Sequence, residues 1–182
     1  MNAMIGRGLG NAGLALFLLA MAAPARAETA AAALPPDLMA LHAARGEACD
    51  PLDEVPEPPY AYALGSGQTL YLVPCTAGAY RRFYSVYLAG NGGYEALWFA
   101  GLTYGAGWQA EPGVWLDRFD PGTGQLHSLD LGSSLGDCGR RGVWQWTGTL
   151  FAMIEYRMKR DCDRQGEPGD FPVVFAAEGA GG

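Results

Sequence analysis

"GVWQWTGTLFAMIEYRM", residues 142–158, decides the fold. Its two halves are rich in aromatic and apolar side chains, and Thr147-Gly148 between them offers a residue tolerant of positive φ. The reading is a β-hairpin with strands at 142–147 and 149–158. On the second strand the even positions Leu150, Ala152, Ile154, Tyr156 and Met158 make the better core face, while Glu155 and Arg157 look toward water. Trp144 and Trp146 share one face of the first strand, where a tryptophan pair at period two is read as core packing.

Cys138 and Cys162 flank this hairpin at comparable distances from its turn. With Cys49 and Cys75 they make four cysteines, none in a C-x-x-C pair. An even count at wide spacing predicts two disulfides formed in an oxidising compartment, rather than zinc ligation or thiol catalysis. Three pairings are open to four cysteines. The reading favours Cys49 with Cys75 and Cys138 with Cys162, since each pair ties neighbouring segments and the second staples the open end of the hairpin.

Working outward, short apolar runs separated by glycine, aspartate and proline predict further strands at 68–74, 82–89, 94–101, 113–119, 125–131 and 172–177. Asn91-Gly92-Gly93 and Asp120-Pro121-Gly122-Thr123-Gly124 supply hairpin turns. The spacings are too short for the crossover helices of a parallel sheet, so the fold class is mainly β, an antiparallel meander closing into a small barrel or a sandwich. A short helix is predicted over Leu38–Arg45, capped by Asp37, stopped by Gly46, with Leu38, Leu41 and Arg45 on one face. Residues 50–59 read as an acidic, proline-rich connector.

Residues 1–27 read as a secretory signal peptide, with Arg7 in the positive leader, an apolar core from Leu14 to Met21 and an Ala25-Arg26-Ala27 cleavage site. That core is far short of the roughly 20 residues a membrane span needs. Cleavage before Glu28 would leave a flexible Ala/Pro spacer to residue 36, one domain over 37–176 and a flexible Gly-rich tail over 177–182. The expected location is periplasmic or secreted, with no transmembrane anchor after cleavage. Arg7 and Arg26 would leave with the signal, taking 12 basic residues to 10 against 19 acidic, a net charge of −9. Such a balance argues against nucleic acid as a partner.

Gly132-Ser133-Ser134-Leu135-Gly136 fits the G-x-S-x-G pattern of a hydrolase nucleophile elbow, but an elbow needs a helix after the serine and a later histidine. A β-patterned run follows Ser134, and no histidine follows His127. His42 lies in the leading helix, so the two histidines do not have zinc-site spacing. Asp117, Asp120 and Asp137 could form a weak calcium site or a carboxylate pair, but Asp120-Pro121 reads better as a turn opener and the calcium-loop spacing is missing. No metal or cofactor is expected. Clustered basic residues, Arg81-Arg82, Arg140-Arg141 and Arg157, Lys159 and Arg160, make a candidate binding patch for an anionic envelope ligand or an acidic partner.

Two segments carry a resemblance. "ALGSGQTLYLVPCTAGAYRRFYSVYLA", 63–89, holds an L-Y-x-V-P-C-x-x-G-A-Y core; "FDPGTGQLHSLDLGSSLGDCGRRGVWQWTGTLFAMIEYRMKRDC", 119–162, holds G-D-C-G, W-x-W-x-G-x-x-F and a distal cysteine. Together they resemble the exported bacterial proteins grouped as domain of unknown function 1176, over most of residues 49–176. The resemblance implies a cell-envelope protein with no established activity. It also makes Gly136-Asp137-Cys138-Gly139 look like a structural corner joined to a hairpin. The functional expectation is a non-catalytic binding or envelope-associated module, such as an inhibitor or partner of another periplasmic protein. The rivals are a cell-envelope hydrolase using surface carboxylates near Asp117, Asp120 and Asp137, and a purely structural envelope component.

Overall fold

The computed structural model describes residues 33–45, 49–90 and 92–178. The expected signal peptide, most of the 28–36 spacer, Gly46, Asn91 and the end of the 177–182 tail lie outside them.

Among the described residues one α-helix, α1 (Pro36–Ala43), precedes eleven strands, with a short 3-10 turn (Pro168–Asp170) before the last of them. These are β1 (Tyr60–Gly65), β2 (Gln68–Ala77), β3 (Arg82–Gly90), β4 (Gly93–Leu97), β5 (Phe99–Thr103), β6 (Gly107–Glu111), β7 (Val114–Asp120), β8 (Gln125–Leu131), β9 (Gly139–Trp146), β10 (Phe151–Lys159) and β11 (Val173–Ala176). All pairing is antiparallel, in the order β1-β2-β3-β7-β8-β9-β10-β11. The far edge of β3 is divided: Phe83 and Tyr84 pair with β7, whereas Val86–Gly90 pair with β4. No described strand joins β1 to β11, so the sheet is open rather than closed into a barrel.

The open sheet curls around one core. Leu70 and Leu72 of β2, Val86 of β3, Phe119 of β7, Leu126 of β8 and Trp144 of β9 belong to a single buried cluster. Tyr62 of β1 packs edge-on against Phe119 with ring centroids 4.7 Å apart, although two strands separate β1 from β7 in the sheet. A second, smaller core lies on the outer side of β2 and β3, where Leu38 of α1 meets Val73 and Tyr87. Burial on both faces is why these two strands read as nearly unbroken apolar runs, "TLYLVPC" and "FYSVYLA".

The helix starts two residues earlier than predicted, with Pro36 in its first turn and no side-chain cap, so Asp37 sits inside the first turn instead of capping it. Its buried positions are Leu38 and His42, one i, i+4 stripe, and Leu41 is exposed. His42 holds the face down through a 2.9 Å hydrogen bond between its Nδ1 and the buried Tyr87 hydroxyl. Arg45 reaches across to donate to the Pro112 carbonyl.

Strands β9 and β10 form the predicted hairpin, with Trp146 opposite Phe151, so the connection is the four residues 147–150 and not Thr147-Gly148 alone. The expected even-numbered core face holds only in part. A register shift between Met153 and Glu155 inserts one residue, and an inserted residue switches the face of everything beyond it. Phe151 and Met153 therefore pack inward before the bulge and Tyr156 after it, whereas Leu150 is exposed. Trp144 is buried as expected; Trp146 is half-buried, against Phe151.

The single strand predicted at 94–101 is two strands broken at an exposed Trp98. The second of them, β5, pairs with β6 as a separate two-stranded ribbon that covers the core. Phe99 of the ribbon packs on Trp144 and Trp108 on Tyr156, and the Leu102 amide donates to the Tyr156 hydroxyl. Both disulfides are paired as favoured, Cys49 with Cys75 and Cys138 with Cys162.

Candidate functional site: a tyrosine- and arginine-lined mouth

Where β3 and β7 part beyond their two residue pairs, the two halves of the curled sheet diverge and leave an open groove of about 550 Å³. Tyr60 and Tyr62 of β1, Tyr84 of β3 and Phe119 of β7 line it with aromatic surface. The rim is charged, with Arg81, Arg82 and Arg118 facing Glu57 and Asp117, and Tyr80 stands half-exposed at its edge.

Local sequence explains each placement. Tyr60 and Tyr62 alternate along β1, which returns into β2 through Ser66 and Gly67, both at positive φ, as a tight two-residue hairpin requires. Tyr60 stacks on Tyr84 with centroids 6.0 Å apart. Burial first, then the neighbouring Tyr60 and Glu57, push the Tyr84 phenol far above its ordinary value, so it acts as a neutral hydrogen-bonding group. Gly113 lets β7 approach β3, because a Cβ there would come within 2.1 Å of the Tyr84 carbonyl oxygen.

Two of the three rim cations are matched. Arg82 holds Glu57 at 2.6 Å, and Arg81 holds Asp117 at 3.0 Å. Arg118, whose side chain is 57% exposed, touches Asp117 only at 3.3 Å and approaches His127 Nε2 at 3.3 Å. An arginine can only donate, so Nε2 accepts and the His127 proton resides on Nδ1. Burial first, then Arg118 and Arg141, hold His127 below its ordinary imidazole value.

The predicted basic patch is distributed over three places. Arg81 and Arg82 line the mouth. Arg140, Lys159 and Arg160 line a second groove of about 420 Å³ beside the Cys138–Cys162 disulfide. Arg141 and Arg157 pair across β9 and β10 on the outer face, with Glu155 bonded to Arg157. Within the second groove Arg140 is engaged by Asp130 and Glu111, both at 2.6 Å, Lys159 by Asp163, and Arg160 lies 3.9 Å over the Tyr104 ring.

The three aspartates weighed as a catalytic set are also apart. Asp117 is held by Arg81 at the mouth, and Asp120 accepts from the Gly122 and Thr123 amides of its own turn. Asp137 is buried, accepting from the Ser133 hydroxyl and the Arg164 amide at the disulfide corner. Ser134 is exposed in the 132–136 loop. The described cluster of metal-ligand types, Asp137 with Cys138 and Cys162, has both sulfurs tied up in the disulfide.

Sequence reading passed over Glu57, Tyr60, Tyr62, Tyr80, Tyr84 and Arg118 as site residues. The usable signal was the period-two alternation Tyr60, Tyr62, Leu64 ahead of Gly65-Ser66-Gly67, which marks a strand and its hairpin turn. A disulfide-braced, curled antiparallel sheet with an aromatic, charge-rimmed mouth is the class of protein these residues define.

The chain belongs to the family described as protein of unknown function (DUF1176), whose model matches residues 3–178. No curated protein and no solved structure matches it. No helix among the described residues is long and apolar enough to cross a membrane.

Proposed function

We propose that the chain is an exported, non-catalytic binding module that engages another exported protein through the mouth between β1, β3 and β7. The observation that carries the reading is the composition of that mouth. Tyrosine and arginine are enriched at the hot spots of protein interfaces because both offer large contact area and directional hydrogen bonds, and tyrosine does so with few rotors for its size. Here Tyr60, Tyr62 and Tyr84 are already ordered by packing on one another and on Phe119, so little side-chain entropy remains to be lost on binding. Two disulfides in a chain of this size fit an oxidising compartment, which supports a periplasmic or secreted location.

Site-specific photocrosslinking tests the reading. A crosslinking amino acid at Tyr80, on the rim, is expected to give one dominant adduct with another exported protein in expressing cells. The same probe at Leu150, in the exposed β9–β10 loop, is expected to give none. Equal adduct patterns from both positions, or no adduct from Tyr80, would count against the mouth as a binding site.

A further inference from the structure

We infer that the mouth receives an acidic segment of its partner in extended conformation, added as a strand to the free edge of β7 with a carboxylate on Arg118. The inference rests on the binding-module reading above and names the chemistry of its partner.

The first observation is a backbone edge. On one side Leu116 and Arg118–Asp120 pair with β8, with a register shift at Asp117; on the other, pairing with β3 stops at Val114 and Trp115, and no described strand continues along that edge. Four consecutive residues of β7, Leu116 to Phe119, line the groove. At about 3.3 Å per residue they present roughly 13 Å of edge. An extended peptide satisfies such an edge with its own amides and carbonyls, whereas a sugar chain offers no matching row of donors and acceptors.

The second observation is charge. Among the groove-lining residues Arg82 with Glu57 and Arg81 with Asp117 form two matched pairs, leaving Arg118 as the cation in excess; nearby Asp120, on which Arg118 also acts, lies outside the lining and already accepts from the Gly122 and Thr123 amides. Asp117 already accepts from Arg81 through Oδ1, so Arg118 shares an occupied carboxylate and keeps donors available at the rim. The whole chain has a net charge of −7, but at physiological salt exposed charges are largely screened beyond about 8 Å. The local excess therefore sets the preference, and it selects an anionic side chain. The aromatic floor, with Tyr62 packed on Phe119, would receive the alternate, apolar side chains of the incoming strand.

Binding of labelled peptides to the disulfide-bonded chain tests this. The probes are an octapeptide alternating glutamate with valine, the same peptide with glutamine for glutamate, and hexagalacturonate as a sugar-borne carboxylate. The acidic peptide is expected to bind at least about tenfold more tightly than its glutamine counterpart, as expected for a charged hydrogen bond. Arg118→Gln should erase that preference, Arg118→Lys should restore part of it, and Tyr80→Ala should weaken both peptides alike. Bound peptide should slow amide exchange in residues 116–119. Equal affinity for the two peptides, tighter binding of hexagalacturonate, or an unchanged preference in folded Arg118→Gln would overturn the acidic-strand proposal. If the Tyr80 crosslink to an exported protein persists alongside any of those results, the binding-module reading stands and only the partner chemistry falls.

Discussion

Asp137 shows how one side chain organises the corner that first looked catalytic. Its carboxylate is buried yet doubly satisfied, by the Ser133 hydroxyl and the Arg164 amide, and so links the loops on either side of the Cys138–Cys162 disulfide. The Ser133 bond first, then the Arg164 amide, hold Asp137 below the ordinary carboxylate value of 3.8. A lowered folded-state value means stability that is present above 3.8 and lost as the pH falls through the lowered value. Asp137→Asn should therefore be less stable than the wild type near neutrality, with the difference shrinking below about pH 4. Urea midpoints from pH 7 to pH 2 measure it, and a difference that stays constant to pH 2 would refute this role. Ser134, one residue from the serine that Asp137 uses, is exposed. Ser134→Ala should change stability by no more than about 0.5 kcal/mol, the usual range for surface positions. Any activity later assigned to the chain should also survive, and a hundredfold loss at unchanged stability would reopen the hydrolase reading.

Among the elements, the β5–β6 ribbon depends most on a polar clamp. Arg140 of β9 donates to Asp130 of β8, to Glu111 of β6 and to the Leu102 carbonyl of β5. Gly101 leaves room for Glu111 to reach it, since a Cβ at residue 101 would meet that carboxylate at 2.1 Å. Arg140→Ala would strand two half-buried carboxylates, at a cost of about 1–3 kcal/mol. Hydrogen exchange should rise in residues 99–111 before it rises in β8 or β9; an unchanged ribbon with the stability lost elsewhere would sink the clamp. This ribbon also marks where sequence reading ran out. Hairpins announced by Asn91-Gly92-Gly93 and Asp120-Pro121-Gly122 were legible because local turn chemistry dictates them. Residues 99–111 were not, because the ribbon takes its place from Phe99 on Trp144 and Arg140 on Glu111, contacts 45 and 29 residues apart in the chain. The bulge after Met153 was hidden for the same reason: 150–154 is an unbroken apolar run that marks neither face, and only the register against β9 shows the switch. Of the mouth, only Arg81, Arg82 and Asp117 were singled out, since Tyr60 and Tyr62 lie between the connector at 50–59 and the first predicted strand at 68–74, where no strand was assigned.

At the scale of the molecule, two disulfides of nearly equal span brace different things. Cys49–Cys75 closes 26 residues and ties the segment after α1 to β2; Cys138–Cys162 closes 24 and joins the open ends of β9 and β10. In the chain-entropy model each is worth about 3.5 kcal/mol through the unfolded state, nearly the same for both. Their folded-state roles differ. The β9–β10 ladder runs from Trp146–Phe151 to Gly139–Lys159 and continues into β8, so the hairpin keeps its pairing without the bridge. Among the described residues the segment after α1 is held by scattered ties rather than a ladder: Arg45 on the Pro112 carbonyl, the Asp50 amide on the Cys75 carbonyl, the Ala77 amide on the Asp50 carboxylate, Leu52 in the small outer core and Glu57 on Arg82. Replacing Cys138 and Cys162 together with alanine should therefore lower the thermal midpoint by about 7–14 °C while leaving the exchange pattern of the folded sheet intact. Replacing Cys49 and Cys75 should lower it by a similar amount, and in addition speed exchange in residues 36–45 far more than in β2. Calorimetry with and without reductant gives the first quantity and amide exchange the second. If losing Cys138–Cys162 shifts the midpoint by less than about 2 °C, the hairpin is already closed in the unfolded ensemble and the bridge adds little.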